Sequence, residues 1–361
     1  MQGLGALGRC PPGAPGGSAD LLPQRVAIFP ARAATLPSME PSETAVAASP
    51  LLLFPSSVGE TPLVEVDGVL AKLECANPCG SIKDRIGRYI LTESERRGLL
   101  RPGMRIVEAT SGNTGIAFSY FARERGYPVT IVMPEDMTEE RKEMIRALGA
   151  DLILCSAEGS FAEAAAIRDR LAVEHGWFNP DQFSNPLNAE CHERTTGEEL
   201  VRQADGRRID AFVAGVGTGG TVIGVGRRLR QTFPRVWVVA VEPTESAVMS
   251  GGAPGAHGIS GIGDGFIPAL ASDGRGGLHP LIDEVIQVST ADALAAAQDI
   301  RARHGFCVGV SSGANYVAAR RLAERFPTVA TIFPDGYTKY RSRGLTHCEP
   351  GTCPYEHSLP V

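Results

Sequence analysis

From Thr61 onward, short runs of β-branched and apolar residues alternate with longer amphipathic stretches, and few architectures accept that order. The runs Met104–Ala109, Val129–Met133, Asp151–Cys155, Asp210–Gly215, Val236–Val241 and Thr331–Phe333 are predicted as buried strands. Between them, Ile82–Arg97, Asn113–Arg125, Thr138–Leu148, Phe161–Glu174 and Thr218–Gln231 are predicted as helices. Strands that are apolar on both faces and separated by helices pair in parallel beneath two helical layers, which makes the fold class α/β. The stretch from Trp177 to Asn188 reads as a loop near the join of two such units, and a chain of 361 residues has room for two.

Residues 1–50 are rich in Gly, Ala, Pro and Ser, follow neither period, and are expected to form a disordered extension. Met39 offers a second start within it. The formal net charge of −6 supplies no surface for a polyanion, so nucleic acid is not an expected partner. No apolar run is long enough to cross a bilayer, so no membrane is expected either. Eight cysteines, mostly scattered, are not the framework of a small secreted domain, and reduced thiols in a cytoplasm are the expectation. Of 35 basic residues only four are lysines (72, 83, 142 and 339), which leaves few candidates for any lysine chemistry.

Four polar motifs precede helices. In Asn77-Pro78-Cys79-Gly80-Ser81-Ile82-Lys83-Asp84-Arg85, a turn leads to Ser81 as helix cap, with Lys83 in the first helical turn. The helix dipole and burial in a cleft would both favour the neutral amine there. Alone, the motif does not displace the ordinary reading of a solvated helical lysine. Thr110-Ser111-Gly112-Asn113-Thr114-Gly115 follows a strand and opens a helix, a cradle for a carboxylate or phosphate, or else a capped turn. Gly217-Thr218-Gly219-Gly220-Thr221 repeats that arrangement without the lysine of a nucleotide-binding loop and without dinucleotide spacing, which suits a cofactor carrying one phosphate. Gly309-Val310-Ser311-Ser312-Gly313-Ala314 by itself is only a Ser-rich helix start.

Together, and in this order, the four motifs resemble the cysteine synthase (O-acetylserine sulfhydrylase) and cystathionine β-synthase family of fold-type II pyridoxal phosphate enzymes. The likeness runs from about Gly59 to about Asp335 and includes Gly59-Glu60-Thr61-Pro62-Leu63, Gln182-Phe183-Ser184-Asn185-Pro186, Thr195-Thr196-Gly197-Glu198 and Gly261-Ile262-Gly263-Asp264-Gly265-Phe266. The resemblance implies a Schiff base between pyridoxal 5′-phosphate and Lys83, Asn113 on the cofactor's ring oxygen, Gly217, Thr218, Gly219, Gly220 and Thr221 around the phosphate, and Ser311 facing the pyridine nitrogen. It implies Thr110, Ser111, Thr114 and Gln182, with Gly261, around the substrate. It further implies a smaller mobile unit over 77–187 and a larger cofactor-binding unit made of 51–76 plus 188–335, followed by a tail from 336 to 361. The implied reaction is β-replacement on an activated L-serine through an α-aminoacrylate, giving L-cysteine and acetate from O-acetyl-L-serine and sulfide. Implied partners are a second copy in a homodimer and the C-terminal tail of serine acetyltransferase. Other donor and acceptor pairs (O-phosphoserine, thiosulfate, homocysteine), a specialised amino-acid synthase, and a cofactor-binding pseudoenzyme acting as an interaction partner are the competing readings.

Three features stand apart from the family pattern. Asp264 occupies a position where a small neutral residue is usual; facing the substrate it would repel a phosphate leaving group, and facing solvent it would do nothing. Cys75 and Cys79 lie close before Lys83, as a redox switch or, more plainly, as two small packing thiols. His347, Cys348, Cys353 and His357 have ligand chemistry but not finger spacing, and a flexible or docking tail is the expectation, with no metal.

Overall fold

The computed structural model describes residues 57–343. The expected extension over 1–50, the second start at Met39 and the Cys/His tail lie outside the described residues. Two sheets organise the rest. Strands β1 (Leu63–Val66) and β2 (Val69–Leu73) form a hairpin, and β3 (Ile106–Ala109), β4 (Val129–Pro134) and β5 (Asp151–Cys155) form a parallel three-stranded sheet. Strands β6 (Ala211–Gly215), β7 (Trp237–Pro243), β8 (Glu284–Val288) and β9 (Val329–Phe333) join the hairpin in a six-stranded sheet of order β1-β2-β9-β6-β7-β8. All its pairings are parallel except β1 with β2.

The helices are α1 (Lys83–Arg96), α2 (Asn113–Glu124), α3 (Glu139–Ala147), α4 (Ser160–His175), α5 (Pro186–His192), α6 (Glu198–Gln203), α7 (Gly220–Thr232), α8 (Thr290–His304) and α9 (Val310–Ala323). Every residue of β4 and β9 is buried, as continuous apolar runs require inside a parallel sheet. The prediction of Asp151–Cys155 as a buried strand is corrected. That strand pairs only with β4, sits at the sheet edge, and leaves Asp151 and Leu154 exposed. The loop read into 177–188 ends early as well. Pro186 occupies the first turn of α5, and the Asn185 side chain accepts the Leu187 N–H at 3.0 Å.

A buried ionic knot ties the N-terminal hairpin to α1 and α6. Arg85 pairs with Glu74 and Glu199, both at 2.6 Å, and Lys72 pairs with Glu199 at 2.6 Å. Thr61 and Gln203 supply the remaining hydrogen bonds, so the buried charges are paired and hydrogen-bonded. This knot fixes the start of α1, and with it Lys83. The expectation of reduced thiols does not extend to Cys307, which is disulfide-bonded.

Candidate active site

Residues that follow β3, β6 and β9 line shared cavities with the first turns of α1 and α9, as expected at the carboxyl ends of parallel strands. Three of the four lysines are committed elsewhere or sealed away. Lys72 is in the ionic knot, Lys142 holds Glu139 at 2.7 Å, and Lys339 is buried with no hydrogen-bond partner for Nζ. Lys83 alone among them lines the cavity that also contains Asn113, the loop after β6 and Ser311. Ser81 caps the helix as anticipated, its Oγ accepting the Lys83 N–H at 3.3 Å, although Ile82 is the formal boundary residue.

Burial pushes the Lys83 ammonium down to about 8, while the carboxylates Asp264 and Glu108 hold it up. The neutral amine is therefore a minor form at pH 7, about a tenth of the whole, but far more abundant than for an ordinary lysine. Asp264 faces this site rather than solvent, lining a second cavity with Lys83, Thr110, Ser111, Thr114 and Gln182. Burial raises its own pKa, against the pull of Lys83 and His257.

The loop 110–114 is held from several sides. Thr110 Oγ1 accepts the Gly112 N–H at 3.0 Å, and Thr114 Oγ1 donates to Gln182 Oε1 at 2.6 Å. Gln182 Nε2 in turn donates to the Ala109 carbonyl at 3.2 Å. Asn113 Nδ2 donates to Asp335 Oδ2 at 2.8 Å, which leaves its second N–H, and its buried, unpartnered Oδ1, for another group. Tyr340 donates to the same Asp335 oxygen at 2.7 Å.

The loop after β6 is built for close approach. Gly219 has φ +83° and opens directly into α7, whose N-terminus faces the cavity. A β-carbon on Gly217 would stand 2.3 Å from the Gly261 carbonyl oxygen, so only glycine fits. Thr218 and Thr221 add hydroxyls, Gly220 begins the helix, and Ser311 is buried in the first turn of α9.

Three supporting residues escaped the sequence reading. Asn188 Nδ2 donates to the Gln182 carbonyl at 2.8 Å and to Thr218 Oγ1 at 3.0 Å, joining the two loops. Asn315 bridges the Gly215 N–H at 2.7 Å and the Ile332 carbonyl at 2.8 Å. His192 is fully buried, with ring nitrogens 2.9 Å from Thr196 Oγ1 and 3.3 Å from Thr221 Oγ1. Burial, with Lys83 and Arg85 nearby, drives its pKa down, so it stands as a neutral imidazole under the threonine. The π-helical segment Glu193–Gly197 follows it directly. Cys79 is a free, buried thiol whose pKa is raised well above normal by burial and Asp84, which is unfavourable for a redox switch.

A lysine of lowered basicity and a glycine-lined helix N-terminus, with threonine, serine and asparagine around the same cavities, suit a small carbonyl cofactor bearing one phosphate. Comparisons agree with that class. The family model described as pyridoxal-phosphate dependent enzyme matches residues 55–335. Cysteine synthase A of Escherichia coli is 41% identical over 312 residues, covering 80% of this chain and 93% of that protein. The crystal structure of cysteine synthase (OASS) from Entamoeba histolytica superposes with TM-score 0.75 at 35% identity, covering 89% of this chain and 97% of that one. The O-acetylserine dependent cystathionine β-synthase from Helicobacter pylori superposes with TM-score 0.76 at 34% identity, over 80% of this chain and 97% of that one. This chain belongs to the pyridoxal-phosphate dependent enzyme family, with the α/β architecture of fold type II and pyridoxal phosphate as its cofactor.

Proposed function

We propose that this enzyme replaces the β-substituent of O-acetyl-L-serine with sulfide or another thiol, giving L-cysteine and acetate in the sulfide case. The observation that carries the reading is the placement of Lys83, its amine lowered to about 8, in cavities it shares with the glycine-rich loop after β6 and the hydroxyl-rich loop after β3. When bound, pyridoxal phosphate supplies an electron-withdrawing ring that acidifies Cα of the amino acid attached to it. Lys83 would hold the cofactor through its aldehyde carbon, and its neutral amine would serve as general base for the Cα proton. Gly217 to Thr221 and the α7 N-terminus would hold the phosphate, and the spare N–H of Asn113 is free to meet the ring oxygen. Ser311, on the same cavity, would face the ring nitrogen, and a hydroxyl there would not favour a protonated ring, which suits loss of a β-substituent over transamination.

Thr110, Ser111, Thr114 and Gln182 orient the α-carboxylate, with Gly261 behind the substrate. Asp264 on this pocket favours the neutral acetyl ester over a phosphate ester as donor. The relatives named for cysteine synthesis and for O-acetylserine dependence support the same donor. Within this reading, 77–187 is a smaller unit closing on a larger one formed by 51–76 and 188–335. The protein is a cytoplasmic homodimer, and the same cleft receives the tail of serine acetyltransferase.

Borohydride reduction of the holoenzyme, followed by peptide mass spectrometry, tests the attachment point, and sulfide-dependent release of acetate from O-acetylserine tests the reaction. The expected results are cofactor fixed on Lys83 and stoichiometric L-cysteine. Cofactor fixed on another lysine, or no acetate released with sulfide, refutes the reading.

A further inference from the structure

Asn188 lines neither of the cavities that Lys83 borders, yet it holds a side chain that lines both, that of Thr218. It sits in the first turn of α5 and is fully buried. Its Nδ2 donates to the Gln182 carbonyl at 2.8 Å and to Thr218 Oγ1 at 3.0 Å. The chemistry of these partners decides which end of the amide points their way. A backbone carbonyl oxygen carries no proton, so only the NH2 end can stand 2.8 Å from it. The Oδ1 end is turned towards Gly220, where a β-carbon would lie 1.9 Å from it, and it accepts nothing among the described residues. An orphaned buried acceptor costs free energy, so the two bonds at the other end are what hold the amide in this sense.

The Thr218 hydroxyl is thereby left with one role. Its oxygen has two lone pairs, and both are engaged, one by Asn188 Nδ2 and one by the Gly220 N–H at 3.4 Å. Its proton meets no acceptor among the described residues. A hydroxyl so placed can only donate, and the space it borders is the cavity of the glycine-rich loop after β6. Lys83 is the one charged side chain lining that cavity, and its amine is reserved for the aldehyde. An anion on the loop therefore depends on backbone N–H groups and hydroxyl protons, and the direction of a single hydroxyl counts.

We infer that Asn188 is a positioning residue for the cofactor phosphate: it fixes Thr218 as a hydrogen-bond donor to that phosphate without touching the cofactor itself. This rests on the phosphate lying at Gly217 to Thr221. The same NH2 group holds the backbone of Gln182, whose side chain accepts from Thr114 at 2.6 Å, so the phosphate loop and the substrate loop share one anchor.

The test measures equilibrium binding of two aldehydes to the full-length apoenzyme: pyridoxal phosphate, and pyridoxal, which lacks the phosphate. The ratio of the two affinities reports the phosphate contacts, whereas general damage to the fold lowers both affinities together. Thr218→Val should lower the ratio about tenfold or more, as loss of a hydrogen bond to a charged group requires. Asn188→Ala should lower it at least about threefold in the parent and less than about twofold in the Thr218→Val background, because its effect passes through the hydroxyl. Equal losses in both backgrounds, or none in the parent, overturn the proposal. If Asn188→Ala takes up neither aldehyde, Asn188→Asp, which keeps the volume, takes its place. Its carboxyl draws the Thr218 proton to itself, and the ratio should fall about tenfold or more. An unchanged ratio, or loss of pyridoxal binding in this variant too, makes Asn188 a structural residue and overturns the proposal. A parent that binds both aldehydes equally has no phosphate site at this loop, and the cofactor placement itself then fails. A parent that prefers the phosphate, with a ratio indifferent to Asn188, loses only the positioning role.

Discussion

Replacing Tyr340 by Phe removes a single oxygen and isolates what the phenol does. That hydroxyl donates to Asp335 Oδ2 at 2.7 Å, on the same oxygen that accepts from Asn113 Nδ2 at 2.8 Å. The other carboxylate oxygen is buried and already without a partner. In Tyr340→Phe the carboxylate therefore keeps one of its two donors in a place water does not reach, since Tyr340 and Asp335 are both 1% exposed. A net hydrogen bond to a charged group contributes about 1.5–3 kcal/mol, so the variant should lose about that much stability. The phenyl ring still lies under Arg141, so the cation–π contact survives in Phe and disappears only in Tyr340→Leu, which should cost about 0.5–2 kcal/mol more before any cavity is counted. Urea unfolding of the holoenzyme, followed by tryptophan fluorescence and cofactor absorbance together, measures both losses. If Tyr340→Phe unfolds within about 0.5 kcal/mol of the parent, below the smallest value a charged hydrogen bond predicts, then the phenol is not what holds Asp335 and Asn113 in place.

Two further outcomes follow from the site. The rate at which apoenzyme takes up pyridoxal phosphate should climb as pH rises through about 8, because only the neutral Lys83 amine attacks the aldehyde, and then level off. Asp264 raises that pKa, so Asp264→Asn should move the climb to lower pH in stopped-flow absorbance; a profile unmoved or shifted upward contradicts the electrostatics. Gly217→Ala puts a methyl 2.3 Å from the backbone oxygen of Gly261, which cannot swing away as a side chain can. Equilibrium dialysis should show cofactor affinity at least about tenfold weaker, the equivalent of 1.4 kcal/mol, and an unchanged affinity would mean that the two loops are free to separate.

How much of this was legible in the residues depends on the range of the interaction. The strand-to-helix turns at Thr110–Gly115 and Gly217–Thr221 were visible because a cradle of backbone N–H groups is written locally, as glycines and hydroxyls between an apolar run and an amphipathic one. Continuous runs such as β4 gave away their burial for the same reason. The β1–β2 hairpin carried a readable Asp67-Gly68 turn, with φ of 49° and 80°, yet strands of four and five residues were too short for periodicity to announce. Helix α8 was likewise missed, because its alanine-rich sequence draws only a faint apolar stripe; the signals present were its caps, Ser289 accepting from Asp292 N–H at 3.1 Å and left-handed Gly305. Asn188, Asn315 and His192 could not be read at all. Their partners lie at separations such as 30 and 100 positions, and no local pattern encodes which distant loop a side chain will meet.

The four lysines show why a site of this kind needs the whole fold and not merely a perturbed amine. Lys339 is as thoroughly desolvated as Lys83, its pKa is also lowered by burial, and its Nζ has no hydrogen-bond partner. Judged by proton affinity alone the two would compete for an aldehyde. They differ in what surrounds them. Lys339 is enclosed by Asp335, Asp84, Cys79 and Arg141, whereas Lys83 projects into a cavity edged by a helix N-terminus. Lys72 is neutralised in function by Glu199, and Lys142 by Glu139 and the Glu135 carbonyl at 2.6 Å. Depressed basicity makes an amine nucleophilic, but an accessible space with a phosphate anchor on its far side decides which amine is used. That space is assembled from turns after β3, β6 and β9, which is why the chemistry of residue 83 depends on the registry of strands more than a hundred positions away.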